Sequence, residues 1–359
     1  MIGAITSMLD NFLGRGSAAV TVPPMDGALK PNNSLEGLPP GIAAKAPGNL
    51  VQIDGAPAWS DGADVVSSSG TVVLTVGAPI TALAVRNDGV IAVAALNGVL
   101  SIFDKDRNDI TPAWTRRPDH VTAMSFGSKG EILFCVGSET NDPENWPKDL
   151  MEKNASGWVG AASVETGDIF VLATDMAYPS GIVQLPDDTV LVSEAWVSHL
   201  IVLGPGAKRT IVLDEIPGYP GHLSKSSGGG YWLSVFAPRN PLIEFVLREP
   251  GYRSAMMREV PQEFWVAPAY ASGESFLEPL QGGALKQMGI LKPWAPSRSY
   301  GLVVQLDGDF IPMRSFHSRT GGRRHGVTSA LDIGGTLWLT SRGASEVLTF
   351  LPDEKGESR

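Results

Sequence analysis

One cysteine in 359 residues, Cys135, excludes an internal disulfide, and its place in the apolar run EILFCV predicts a buried core residue. Charge is sparse at 18%, and the balance of 28 Lys and Arg against 38 Asp and Glu gives −10. Nucleic acid is an unsuitable partner for such a chain, because binding a phosphate backbone needs clustered cations. The densest basic cluster, Arg323-Arg324, reads as a local anion contact or a surface turn. Nowhere do apolar residues run for the roughly 20 positions of a membrane span. No G-x-S-x-G phrase is present either, which argues against a covalent serine mechanism.

The chain is rich in turn residues, with 41 Gly and 27 Pro between short alternating apolar runs. That pattern predicts an all-β protein. The opening MIGAITSMLDNFLGRG places Ile2, Ile5, Met8, Leu9, Phe12 and Leu13 near helical spacing, without the positive charge that precedes a secretory core. It reads as a short amphipathic helix, and the expected location is cytoplasmic. Residues 1–48 are accordingly read as an N-terminal helix and an irregular Pro- and Gly-rich lead-in, and 49–359 as one domain.

A strand-turn-strand phrase recurs through that domain: ITALAVRNDG from Ile80, VTAMSFGSKG from Val121, PSGIVQLPDD from Pro179, PGHLSKSSGG from Pro220 and VTSALDIGG from Val327. Thr81 and Thr122 lie 41 positions apart, and Ser180 and His222 lie 42 apart, the length of one four-stranded propeller blade. Turn signals at Asp54-Gly55, Asp88-Gly89, Lys129-Gly130, Asp187-Asp188, Gly228-Gly230 and Gly334-Gly335 give six blades. The expected fold is a six-bladed β-propeller, with Thr81, Thr122, Ser180, His222 and Thr328 forming a ring at one mouth of the central channel. A second set, after each blade's second strand, comprises Glu139, Glu194, Phe236, Arg239 and Arg342. Residues of about 248–300 lack strict alternation and read as a helical and loop insertion over one face, either a lid or a belt.

The phrases AYPSGIVQLPDDTVLVSEAW, IPGYPGHLSKSSGGGYWLSVF and HGVTSALDIGGTLWLTS resemble strictosidine synthase-like proteins, within the six-bladed superfamily that includes gluconolactonases and paraoxonases. The resemblance covers roughly Pro23 to Leu351. It implies a site at the channel mouth and either ester or lactone hydrolysis or condensation of an amine with an aldehyde. Metal-dependent relatives hold a divalent cation, usually calcium, on a glutamate and several asparagines. Glu36 matches that glutamate here, while Thr122, Ser180 and His222 occupy the asparagine places, so any metal would rest on Glu36 and His222. The condensing enzyme's glutamate base falls at Thr328.

Hydrolysis needs a base, an oriented water and a donor to the oxyanion. His222 or His325 is the candidate base, with Glu36 or Glu194 orienting it. Thr122, Ser180 or Thr328 would donate to the oxyanion, and Arg324 would hold a substrate carboxylate. The same hydroxyls also suit local capping of strand ends. His120 and His199, at strand edges, read as structural or solvated. Phe264, Trp265, Tyr270, Phe276, Trp294 and Tyr300 offer an apolar lining, with Lys286 and Lys292 nearby. Three functions follow in order of preference: a lactonase- or esterase-like hydrolase of a small substrate, an enzyme making or breaking a C–N or C–C bond, and a non-catalytic binding propeller.

Overall fold

The computed structural model describes residues 22–352 apart from 274, 276, 279–285, 288–289 and 292–297. The N-terminal helix expected from the opening lies outside the described residues. The lead-in reaches the domain as strand β1 (Ile42–Ala43), and blade 1 follows as β2 (Pro47–Ile53), β3 (Ala56–Asp61), β4 (Asp64–Ser67) and β5 (Val72–Thr75). Blade 2 has β6 (Ile80–Val85), β7 (Ile91–Ala95) and β8 (Leu100–Phe103), with a single bridge from Phe103 to Asp109 at its outer edge. Blade 3 comprises β9 (Val121–Phe126), β10 (Ile132–Val136), β11 (Gly157–Ala162) and β12 (Ile169–Met176), and helix α1 (Trp146–Glu152) leaves it between β10 and β11.

Blade 4 is β13 (Pro179–Gln184), β14 (Val190–Glu194), β15 (His199–Leu203) and β16 (Arg209–Leu213). Blade 5 begins with β17 (Gly218–Lys225) and β18 (Tyr231–Pro238). The chain then departs through α2 (Pro241–Arg248), α3 (Pro250–Glu259) and a short ribbon of β19 (Lys286–Gln287) and β20 (Ile290–Leu291), before resuming the blade with β21 (Gly301–Leu306) and β22 (Pro312–Ser318). Blade 6 is β23 (Val327–Ile333), β24 (Thr336–Ser341) and β25 (Glu346–Phe350), completed at its outer edge by β1. The innermost strands β2, β6, β9, β13, β17 and β23 each pack on the next, and β23 packs on β2, so the ring is closed.

Each of the six turns read from the sequence joins the two inner strands of one blade. Asp54 and Gly55, at φ 50° and 81°, form the two-residue type of hairpin whose twist matches its strands. The apolar cores lie between blades. Phe134 and Trp158 of blade 3, for example, bury themselves against Ala92 and Ile102 of blade 2. Second strands such as β7 and β10 are covered on both faces, which is why IAVAA and ILFCV are unbroken apolar runs and why Cys135 is fully buried. Among the described residues, no helix is long and apolar enough to cross a membrane.

Candidate functional site

The site is built by one backbone device used six times. Near the start of every innermost strand the pairing with the second strand slips: at Gly48-Asn49, Thr81, Thr122, Ser180, Gly221-His222 and Thr328 one residue more stands on the inner strand than on its partner. Such a bulge re-aims the extra side chain out of the sheet. The six side chains Asn49, Thr81, Thr122, Ser180, His222 and Thr328 accordingly line one cavity of about 630 Å³ at the channel mouth. Asn49 is the sixth member, absent from the sequence reading.

The hydroxyls do more than face the cavity. Thr122 Oγ1 donates to Pro179 O at 2.6 Å and Ser180 Oγ to Pro220 O at 2.7 Å, each binding the next blade. Asn49 Nδ2 reaches Thr81 O at 3.2 Å, and Thr328 Oγ1 lies 3.4 Å from Pro47 O. Buried Ser193 and Ser234 behind the ring bond Gly221 O and Thr328 O of the following blades. Thr122 and Ser180 therefore offer the cavity lone pairs, not protons. Their expected role as oxyanion donors is corrected on that ground.

His222 is the ring's imidazole. Its Nδ1 lies 3.2 Å from the Oγ of Ser329, which already accepts Leu50 N–H at 3.0 Å. Ser329 is fully buried, and among the described residues its hydroxyl proton has no acceptor other than His222 Nδ1. That arrangement sets the tautomer with the proton on Nε2, which has no protein partner among the described residues. Burial pushes the imidazole down to about 4. At neutral pH His222 is thus a neutral donor toward the cavity, and not the general base expected.

Around this polar floor stand Trp146 of α1, Tyr178, Phe236 of β18 and Tyr270 of the blade 5 insertion. Trp146 meets Phe236 and Tyr270 with ring centroids 5.2 Å apart in both cases. Tyr178 stacks at 4.3 Å on Trp196, whose indole N–H is held by buried Asp149 at 2.7 Å. Gln262, Glu263, Ala267–Tyr270 and Arg298 of the insertion, with Pro143–Pro147 of the loop carrying α1, form the upper lining. Arg342 also reaches the cavity, paired with Glu144 at 3.2 Å and lying 5.4 Å from the centre of the Tyr270 ring.

Several expected site residues are elsewhere. Glu36 Oε1 accepts from Ser318 Oγ, Arg324 N and Arg323 N at 2.6, 2.8 and 3.0 Å, fastening the lead-in to the propeller. Burial works against its charge, but these bonds prevail and hold the carboxyl below its usual range. Arg324 is buried against the carbonyls of Leu35, Leu38 and Pro39 and against Glu346, so it has no fork to offer a substrate. His325 uses both ring nitrogens, on Ser299 Oγ at 2.7 Å and Arg319 O at 3.1 Å. Glu194 accepts from Ala177 N and pairs with His199 at 2.9 Å. Trp265 packs beneath the lining with its N–H on Val260 O. Glu139 pairs with Arg116 and Arg239 with Glu244, away from the cavity. Trp294, Phe276 and Lys292 lie outside the described residues.

A divalent cation does not fit these residues. The ring carries one amide and no carboxylate, two of its hydroxyls are committed to carbonyls, and Glu36 is fastened elsewhere. Calcium takes 6 to 8 oxygen ligands, usually including carboxylates. Among the described residues no three His, Cys, Asp or Glu side chains are grouped to hold a metal.

No family model matches the chain. An adipocyte plasma membrane-associated protein from Danio rerio is 30% identical over 233 residues, covering 63% of this chain and 50% of that one. Protein STRICTOSIDINE SYNTHASE-LIKE 13 from Arabidopsis thaliana is 23% identical over 139 residues, 38% of this chain and 34% of that one. The chain spans about half the length of the adipocyte relatives that it matches first. A solved gluconolactonase from Xanthomonas campestris superposes with a TM-score of 0.55 over 87% of this chain and 88% of its own, at 14% identity, a likeness of fold alone. By sequence and by fold, the chain is a six-bladed β-propeller related to the strictosidine synthase-like proteins, with gluconolactonases as neighbours in fold.

Proposed function

We propose that the chain binds a small, largely aromatic ester or lactone at the channel mouth and hydrolyses it without a metal. The observation that carries this is the neutral His222, with Nε2–H as the donor in a floor otherwise supplying lone pairs, set under an aromatic wall. The substrate carbonyl oxygen sits on Nε2–H, which stabilises the charge that develops there. Thr122 and Ser180 orient a water through their lone pairs. The water oxygen bonds to the carbonyl carbon, the acyl C–O bond breaks, and the proton lost by the water ends on the leaving oxygen.

A second reading, a non-catalytic binding propeller, is favoured by the lack of any carboxylate on the floor to act as base. Condensation of an amine with an aldehyde is disfavoured for the same reason, since Thr328 stands where the base is required. A panel of aryl esters and lactones, assayed with excess EDTA, separates the readings. Turnover that survives EDTA and falls about 10²–10³-fold in His222→Ala is expected for the hydrolase. Tight binding of the panel with no turnover would establish the second reading.

A further inference from the structure

Among the charged side chains that line the cavity, Arg298 is the most enclosed. Its side chain is 9% exposed, against 31% for Arg342 and 52% for Glu144, and Glu263 is exposed. One of its five N–H groups, on Nε, donates to Ala267 O at 3.0 Å. Nη1 lies 3.8 Å from the Glu278 carboxylate, beyond hydrogen-bonding distance, and Nη2 has no bonding partner among the described residues. A guanidinium so sparsely bonded and so little exposed is costly unless something completes it. Burial acts against its charge, and Glu278 only partly supports it.

We propose that Arg298 is the anchor for a carboxylate on the ligand, so that the substrate class is aromatic esters or lactones bearing one carboxylate. The free edge of the guanidinium matches the planar fork of a carboxylate. Of the other charges in the lining, Arg342 is paired with Glu144 at 3.2 Å and Glu263 is exposed, so Arg298 is the lining cation placed to take a ligand's negative charge. Arg298 lies in the upper lining, its carbonyl accepting Ala269 N–H at 2.8 Å, whereas His222 lies in the floor. The ligand would therefore be polar at both ends, with its carboxylate on Arg298, its reacting carbonyl on His222, and an aromatic body between Trp146, Tyr178, Phe236 and Tyr270. The role expected for Arg324 from the sequence thus passes to Arg298.

This inference rests on the reading that the cavity takes a small organic molecule, and calorimetry with matched probes separates the two. 4-Phenylbutyrate is expected to bind the wild-type chain at least about tenfold more tightly than 4-phenylbutyramide. Arg298→Gln should remove that preference while leaving the amide's affinity unchanged, and Arg298→Lys should retain part of it. A merely structural arginine would weaken both probes together. Equal affinity of acid and amide for the wild-type chain overturns the carboxylate anchor alone, whatever the variants do. Binding of neither probe overturns the cavity reading with it.

Discussion

Glu144 and Arg342 stand 198 positions apart in sequence and 3.2 Å apart in space. The pair joins the blade 3 loop to the end of β24 beside the cavity, with the arginine also over the Tyr270 ring that packs on Trp146. It is a partly exposed clasp worth about 0–1 kcal/mol. Glu144→Gln is expected to leave the thermal midpoint within about 2 °C of wild type. By loosening the mouth it should raise the association and dissociation rates of a neutral ligand such as 4-phenylbutyramide together by roughly threefold, read by stopped-flow tryptophan fluorescence. A changed dissociation rate at an unchanged association rate, and hence a changed equilibrium constant, would mean that Glu144 contacts the ligand instead.

The imidazoles give the fold a defined response to acid. Burial pushes His222 and His317 from 6.5 down to about 4, and it lowers His325 as well. Between these values the unfolded chain binds protons that the folded chain does not, so stability is complete above about pH 6.5 and is lost as pH falls toward 4. Glu36 and Glu194, held below their usual 4.5, add their loss only lower down. Urea melts between about pH 5 and 6.5 therefore isolate the histidines, and His222→Gln should flatten the slope by about one proton. For the hydrolysis proposed here, kcat/KM of the wild-type chain should stay level from about pH 8 to 5. A limb near 6.5 would show that His222 titrates as an ordinary base.

The ring residues differ in what substitution should reveal. Ser193 is fully buried behind them and donates across blades to Gly221 O at 2.7 Å. Ser193→Ala leaves that carbonyl without its donor, so a loss of about 1–3 kcal/mol in urea unfolding is expected. Ligand affinity should not change. An affinity change without a stability change would place Ser193 in the binding surface and not in the strapping between blades.

The blades were legible in the sequence because each inner hairpin needs a turn residue at positive φ, and Gly55, Gly89, Gly130, Asp188, Gly230 and Gly335 supply it locally. The ring followed from spacing to those turns. Asn49 escaped because its hairpin turns in two residues, Asp54-Gly55, which brings it six positions from the turn glycine instead of eight. The upper lining had no such signal. SETNDPENWPKD reads as an ordinary loop, and nothing local says that Trp146 will cross to meet Tyr270. The Arg323-Arg324 doublet stood out as a cationic motif, yet closure of the propeller covers Arg324 with the lead-in, while the isolated Arg298 reaches the cavity.

That covering makes Arg324 the clearest test of how the ring is closed. Its guanidinium binds Leu35 O, Leu38 O and Pro39 O at 2.5, 2.8 and 2.7 Å and Glu346 at 3.2 Å, while Glu36 returns bonds to the Arg323 and Arg324 amides. The two residues lock the lead-in a few positions before β1 pairs with β25, Ile42 opposite Val347. Arg324→Met leaves Glu346 with Gly41 N–H but without its cation and takes the guanidinium from three carbonyls, and should cost about 3–5 kcal/mol in denaturant unfolding. Glu36→Gln keeps the shape but weakens three bonds, so a smaller loss of about 1–3 kcal/mol is expected. Neither change should alter KM for an ester substrate in the folded fraction, because neither side chain lines the cavity. A raised KM at native stability in Arg324→Met would return this arginine to the substrate and displace Arg298 from the role argued for it.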